Sequence, residues 1–302
     1  MLSLGKSFKS STPKHYIQKT KSQYNVQAKT STNNTIEIKG DCQKKTIYVD
    51  GSLVKKISDH IVFLPTIIHT PEEAVLETKI NQNRNKAINK NICFYSKKYL
   101  KNIQSYNVIL KQRNEALKQN HPTKIWDTLF IEKAEQIWKE KAQYEEEINK
   151  NLKETTFKKD LFVEIKIQGK VLNKEEINKN LKEAQEKDYK KGHTGIGPHK
   201  DVIKYFFNKE EVKTTASQGE KTTFFTILKK AEAKQINLKL LLKGKEEGSS
   251  REPIILLDDV LSKLDPINTE KTLNLFKNNK QTIITHTEKI QRYQTNQIKI
   301  ND

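Results

Sequence analysis

The run Pro253-Ile254-Ile255-Leu256-Leu257-Asp258-Asp259 carries the sharpest chemical signal in the chain. Four consecutive aliphatics fit a strand buried on both faces, and open parallel sheets bind ligands beyond the carboxyl ends of their strands. One carboxylate there can hold Mg²⁺ through water, and a second can orient a water towards a terminal phosphate. The plain alternative is a strand that simply ends in a solvated turn. Ser262-Lys263-Leu264-Asp265 follows at once, and Ser217-Gln218-Gly219-Glu220 lies upstream, directly before a helical stretch at Thr222–Leu242. Ser217, Gln218 and Gly219 would offer a hydroxyl, open backbone N–H groups and a position without a side chain, which together suit a phosphate. A helix cap accounts for Ser217 equally well. Downstream, Thr282-Ile283-Ile284-Thr285-His286-Thr287 is a β-branched run ending in polar groups that could sense a γ-phosphate, although a lone histidine at a strand end is more often just exposed.

The elements that must position these residues alternate between strands and helices. Residues 24–57 read as short strands with turns, and Asp50-Gly51 is a strong hairpin signal. An apolar stretch at Ile61–Ile68 ends at Thr70-Pro71-Glu72-Glu73, where Pro in the first turn and two acids fit a helix start. From about residue 97 the pattern is helical: Ile103, Tyr106, Leu110 and Leu117 form one stripe, and His121-Pro122 ends it. Trp126, Phe130, Ala134 and Ile137, continued by Tyr144, Ile148 and Leu152, form a second stripe, so an antiparallel helix pair is expected. Leu161–Ile167 reads as a strand, Glu175–Lys187 as a helix, Val202–Phe207 as a strand, and Thr269–Phe276 as a helix. Apolar runs alternating with helices predict an α/β fold with a mostly parallel sheet covered on both faces.

Composition narrows the classes. The 302 residues are 34% hydrophobic and 31% charged, too apolar for a disordered tail and long enough for two or more packed lobes. No apolar run approaches the roughly 20 residues that span a bilayer, and Cys42 and Cys93 form no metal-ligand spacing. Membrane protein, disulfide scaffold and zinc module are disfavoured; a soluble cytoplasmic protein is the expectation. Against 37 acidic residues stand 56 basic ones, a formal charge of +19, of which only Arg84, Arg113, Arg251 and Arg292 are arginine. Lysine, asparagine and isoleucine share A/T-rich codons, so base composition alone could inflate that surplus. The field still attracts polyanions, without saying which.

The order of the pieces identifies a superfamily. A Ser-Gly signature, an aliphatic strand with paired acids, a Ser…Leu-Asp loop and a strand ending in His/Thr form the back half of an ABC-type ATPase. The 41-residue step from Ser217 to Asp258 is longer than in transporter subunits. Within the superfamily the chain resembles the RecF family of bacterial DNA replication and repair proteins. Gly192-His193-Thr194 with Gly197-Pro198-His199-Lys200-Asp201 resembles the family's G-x-T…G-P-H-R-D block, and Ile255–Asp265 its L-L-L-D-D-V-L-S-E-L-D run. Tyr106-Asn107 through Arg113-Asn114 matches Y-N…R-Q-R-N, Trp126-Asp127 matches W-D, Leu2–Lys9 is similar to L-S-L-G-R-S-F-R, and Thr70–Glu73 to S-P-E-D.

That resemblance implies an ATPase head formed by residues 1–96 and 191–302, with a helical arm at 97–190. It implies ATP and Mg²⁺ as cofactors and a weak DNA-dependent ATPase activity. Two copies would bind ATP face to face, each offering Ser217, Gln218 and Gly219 to the nucleotide of the other. Asp258 would serve Mg²⁺ and Asp259 would act as general base. Asp265 would lie at the dimer seam, and His286 or Thr287 would report on the γ-phosphate. The implied partners are single-stranded or gapped DNA and recombination-mediator proteins of the RecO/RecR kind, the implied setting recombinational repair and SOS induction. Two departures stand out. The family places a strand, a G-x-x-x-x-G-K-[ST] loop and a helix, roughly 40 residues, ahead of L-S-L-G, whereas Leu2-Ser3-Leu4-Gly5 here follows Met1. The expectation is that this segment is encoded upstream in frame; a decayed gene is the alternative. At Asn83–Asn89 the family shows R-R-x-F-L-D, and only Arg84 and loosely Lys86 keep the basic character, with Asn89 in place of the acid. A nucleotide-independent DNA-binding scaffold is the rival reading, and a transporter ATPase subunit a distant third.

Overall fold

The computed structural model describes residues 12–30, 33–56, 64–156, 161–171, 173–247 and 252–286, with residues 2–3, 5, 7 and 60 besides. Strands β1 (Tyr24–Lys29), β2 (Thr35–Gly40), β3 (Lys45–Val49) and β4 (Ser52–Leu53) form an antiparallel meander. Asp50 and Gly51 close β3 onto β4 with φ of 50° and 76°, the doubly left-handed turn that matches the twist of a two-residue hairpin. Ile36, Ile38 and Ile47 fill the buried face of this sheet.

The parallel sheet has three strands among the described residues. β5 (Thr66–His69) and β10 (Thr282–Thr285) flank β9 (Ile254–Asp258), with His69 in register with Leu257 and Thr285 with Asp258. β5 is buried at all four positions, as a strand covered on both faces requires. Residues 61–63 of the predicted apolar stretch lie outside the described residues. Thr70 then caps α1 (Pro71–Lys79): its hydroxyl accepts from Glu73 N–H at 3.0 Å, and Pro71 holds the first helical position.

Three helices follow: α2 (Asn81–Tyr95), α3 (Lys97–Lys118) and α4 (Lys124–Thr155). The Ser96 hydroxyl caps α3 by accepting from Tyr99 N–H, and the chain turns at His121-Pro122 to send α4 back along α3. Tyr106, Leu117, Phe130, Ala134, Ile137, Tyr144, Ile148 and Leu152 of the two predicted stripes are buried between the helices and the head. The stretch 175–187 is not one helix but two, α5 (Lys174–Glu183) and α6 (Gln185–Lys191), broken at Ala184. The break turns Asp188 inwards, where it is buried.

Val202–Phe207 (β7) does not join the parallel sheet. It pairs antiparallel with β6 (Val163–Gln168), Ile165 opposite Tyr205, and with the short β8 (Glu210–Glu211). Among the described residues parallel pairing is thus confined to the central three strands, and the two other sheets are antiparallel. One face of β6 and β7 is buried by Val163, Ile165, Ile167, Ile203, Tyr205 and Phe207, the alternation proper to a one-sided sheet. α7 (Gln218–Glu247) crosses this core through Phe224, Phe225, Ile227, Leu228 and Ala231, all fully buried. α8 (Pro266–Phe276) closes the carboxyl half. A single apolar core runs from Ile67 to Phe276 and joins head to arm without a seam.

Candidate functional site

The acidic strand end is built around one threonine. The Thr285 hydroxyl donates to Asp258 Oδ1 at 2.7 Å and accepts from Asp259 N–H at 3.1 Å. The parallel register makes this geometry: Thr285 lies opposite Asp258, so the next residues, Asp259 and His286, leave the sheet together. Asp259 takes a left-handed backbone with φ 54°, a conformation that aspartate tolerates better than most side chains. Its Oδ1, and Nδ1 of His286, are buried without a hydrogen-bond partner among the described residues. Unpaired buried polar atoms cost about 1–3 kcal/mol each, and at the carboxyl edge of a parallel sheet they mark a place for a ligand. Thr287 lies outside the described residues.

Asp265 has a second task. Its carboxylate caps α8, accepting from Ile267 and Asn268 N–H at 3.0 Å each, and these bonds hold its pKa below the usual carboxylate range. Ser217 and Glu220 form a reciprocal capping box at the start of α7: Ser217 N–H donates to Glu220 at 2.8 Å and Glu220 N–H to the Ser217 hydroxyl at 3.3 Å. Ser217, Gln218 and Gly219 are exposed, and the space where a Gly219 side chain would stand is open. Gln218 and Thr222 share a small groove with Val260, just past the acids, and with His69 at the end of β5.

The donor set fits one side of a magnesium nucleotide. No group of three or more His, Cys, Asp or Glu among the described residues could hold a metal alone, so Mg²⁺ would rest on Asp258, water and phosphate oxygens, its usual coordination beside nucleotides. The orphaned Asp259 Oδ1 and His286 Nδ1 supply the polar side of such a site. The chain contains no G-x-x-x-x-G-K-[ST] run.

The remaining motif residues form a buried polar joint between arm and head. Arg113, 1% exposed, donates to Asp127 at 2.9 Å, to Asp188 at 3.0 Å and to the Thr194 hydroxyl at 2.7 Å. Asn114 accepts from Thr194 N–H at 2.8 Å. Tyr106 bonds His199 Nδ1 at 2.6 Å, while His199 Nε2 faces the Thr194 carbonyl at 3.2 Å. A carbonyl only accepts, so Nε2 carries the proton and Nδ1 accepts from tyrosine. Burial pushes His199 down to about 4, keeping it neutral, and raises Tyr106. Gly197, φ 127°, is required here, because a side chain would start 2.4 Å from the Tyr106 oxygen. Lys141, fully buried, donates to Asp201 at 2.6 Å, Asn85 at 2.8 Å and the Pro198 carbonyl at 3.1 Å, and Trp138 completes Asp201.

Arg84 closes the carboxyl end of α1, donating to the Glu77 and Thr78 carbonyls at 2.7 and 2.8 Å. Asn89 accepts from the Tyr99 hydroxyl at 2.6 Å. The two therefore hold separate structural posts. Sequence reasoning missed Lys141, Asn85, Trp138, Asp188 and Thr285 as bonded groups. One signal was available: Lys141 sits in the apolar stripe Ala134–Ile137–Lys141–Tyr144–Ile148, where a charge must be paired.

A three-stranded parallel sheet with acids at its carboxyl edge, an exposed serine opening a long helix, and a helical arm define an ABC-type ATPase head. No family model matches the chain. It is 31% identical over 261 residues to the DNA replication and repair protein RecF of Clostridium botulinum strain Eklund 17B, covering 81% of this chain and 68% of that protein. It is 27% identical over 306 residues to RecF of Prosthecochloris aestuarii, covering 95% and 78% respectively. Among solved structures, a RecF–ATP complex from the RecFOR pathway superposes with a TM-score of 0.77 at 25% identity, covering 96% of this chain and 81% of that one. The chain belongs to the RecF family of DNA replication and repair proteins.

Proposed function

We propose that the protein acts as an ATP-driven clamp on DNA in replication and in recombinational repair of gapped DNA, with SOS induction downstream. Two copies close face to face, Ser217, Gln218 and Gly219 of each meeting the nucleotide held by the other. Asp258 would hold Mg²⁺, which would supply charge neutralisation at the phosphates. Asp259 takes the proton of the attacking water, Asp265 lies at the seam, and His286 reports on the γ-phosphate. Residues 97–190 serve as the arm between head segments 1–96 and 191–302. Its partners are DNA, in single-stranded or gapped form, a second copy, and mediator proteins of the RecO/RecR kind. The likeness to a solved recombination mediator protein bound to ATP supports the cofactor and the setting. The proposed location is the cytoplasm; no helix among the described residues is long and apolar enough to cross a membrane.

One observation carries the reading: Thr285 pins Asp258 while leaving Asp259 Oδ1 and His286 Nδ1 unpaired at the same sheet edge. A water-positioning carboxylate must be held by its backbone with an oxygen to spare. Asp259→Asn keeps the left-handed backbone and removes the base. In the protein it should prolong the ATP-bound dimer and slow hydrolysis. Unchanged dimer lifetime and unchanged hydrolysis would remove Asp259 from that role.

A further inference from the structure

The charges of the arm are segregated between its two helices. The 34 residues from Asn81 to Asn114 contain no Asp or Glu, in a chain with 37 acids among 302 residues. α3 has a single acid, Glu115, whereas α4, packed along it, has eight. Both helices are rich in lysine, so lysine-favouring base composition does not produce the difference. Glutamate has A-rich codons as well, and its near absence from α3 is specific to that surface.

The outer face of α3 is regular. Lys97, Lys101, Gln104, Val108, Lys111, Glu115 and Lys118 follow at alternating steps of four and three, and all are exposed. That spacing is one straight helix face, and at 1.5 Å per residue it runs for about 30 Å. Lys97, Lys98, Lys101 and Lys111 make no salt bridge to any described residue. At its far end the face meets an open groove lined by Asn107, Lys111, Asn114, Gly192, His193 and the Lys118–Glu115 ion pair. Gly192 ends α6 at φ 65°, where a side chain would start 3.1 Å from the Lys118 stem, so its absence lets the two elements close on each other. The aromatic rings of α3, Tyr99 and Tyr106, are fully buried and offer nothing for base stacking.

We infer that the α3 face, from Lys97 to the Lys111–His193 groove, is a binding site for the phosphodiester backbone of nucleic acid. A long cationic ridge with a single acid and no exposed tyrosine, phenylalanine or tryptophan on α3 fits phosphates rather than bases, so it holds a strand without reading its sequence. The site deepens the proposed DNA-binding function and rests on it, while needing no nucleotide.

The test is the salt dependence of binding to a short duplex and to a single-stranded oligonucleotide between about 50 and 200 mM salt. The variant Lys97→Gln/Lys101→Gln/Lys111→Gln alters only exposed side chains. Its log K against log[salt] slope should fall by about one per lysine removed, and affinity should drop on the order of ten- to a hundredfold. The control Lys139→Gln/Lys150→Gln/Lys153→Gln, on acid-rich α4, should leave the slope unchanged. A loss on only one of the two oligonucleotides shows which form of the backbone the ridge holds. Wild-type binding with an unaltered slope in the α3 variant, or an equal loss in the control, overturns the site alone. Failure of the wild type to bind either nucleic acid at about 50 mM salt overturns the DNA-binding reading as well.

Discussion

Thr285 stands opposite Asp258 across the parallel β9–β10 pair, and its hydroxyl donates to the carboxylate at 2.7 Å. The same oxygen accepts from Asp259 N–H at 3.1 Å, so one side chain fixes both acids. In the proposed site, a hydroxyl that orients the carboxylate meant for Mg²⁺ gives the kind of support that outer ligands give to ion sites. It makes Thr285 a positioning residue for Asp258.

Thr285→Val keeps the branched shape the strand favours and deletes the hydroxyl. ATP-dependent dimerisation should weaken about tenfold, the range expected for loss of an outer-shell partner, while folding stability changes by only about 1 kcal/mol. Thr285→Ser should restore most of the dimerisation. Nucleotide titrations followed by light scattering, with urea unfolding as the stability measure, check both parts. Equal failure of the serine variant would argue for a packing role.

Arg113 is closed in by Asp127, Asp188 and Thr194. Arg113→Met should cost about 3–5 kcal/mol in urea unfolding, because Asp188 is then buried without its cation. Combining it with Asp188→Asn should recover part of that loss, since the second change removes the stranded charge. An additive double variant would contradict the coupling.

Two buried histidines should make the protein lose stability as the pH falls below about 6.5. His199 is held neutral, its pKa pushed down to about 4 by burial, and buried His69 is pushed down to about 3. Unfolded, both titrate near 6.5. Between those values the unfolded chain binds the extra protons, so this contribution is complete above about pH 6.5. It falls as pH drops towards 4, by about 1.4 kcal/mol per pH unit for each histidine. Denaturant melts from pH 7 to 4 should show this slope, and His199→Gln should make it shallower.

His69 is 1% exposed, and neither ring nitrogen has a hydrogen-bond partner among the described residues. Phe225 lies 6.3 Å away, centroid to centroid. His69→Phe keeps an aromatic side chain and removes both unpaired nitrogens, so it should raise the urea midpoint. A lower urea midpoint would mean that the nitrogens make a contact that phenylalanine cannot.

What the sequence disclosed was mostly local. The Asp50-Gly51 turn, the Thr70-Pro71 helix start and the stop at His121-Pro122 are decided by neighbours along the chain, and the structure has all three. The antiparallel pairing of β6 with β7 was not legible, because two helices separate the strands and alternating apolar residues do not state a direction. The acids of β9 could be read from their strand, but the hydroxyl that holds them comes from Thr285, on a strand beyond α8. Arg113, Asp127, Thr194, His199 and Asp201 were recognisable as family marks. Their task, a buried joint between arm and head, depends on Lys141, Asp188 and Tyr106 arriving from separate elements. Such networks need tertiary proximity, which spacing alone does not encode.

The most direct test of the central claim is the mass of the protein by light scattering, with and without ATP and Mg²⁺, for the wild type and Asp259→Asn. An ATP-driven clamp predicts a monomer that doubles in mass with magnesium ATP and returns as ATP is hydrolysed, with Asp259→Asn holding the doubled mass longer. A mass indifferent to nucleotide, together with DNA affinity indifferent to nucleotide, would contradict the clamp and leave a DNA-binding scaffold in its place.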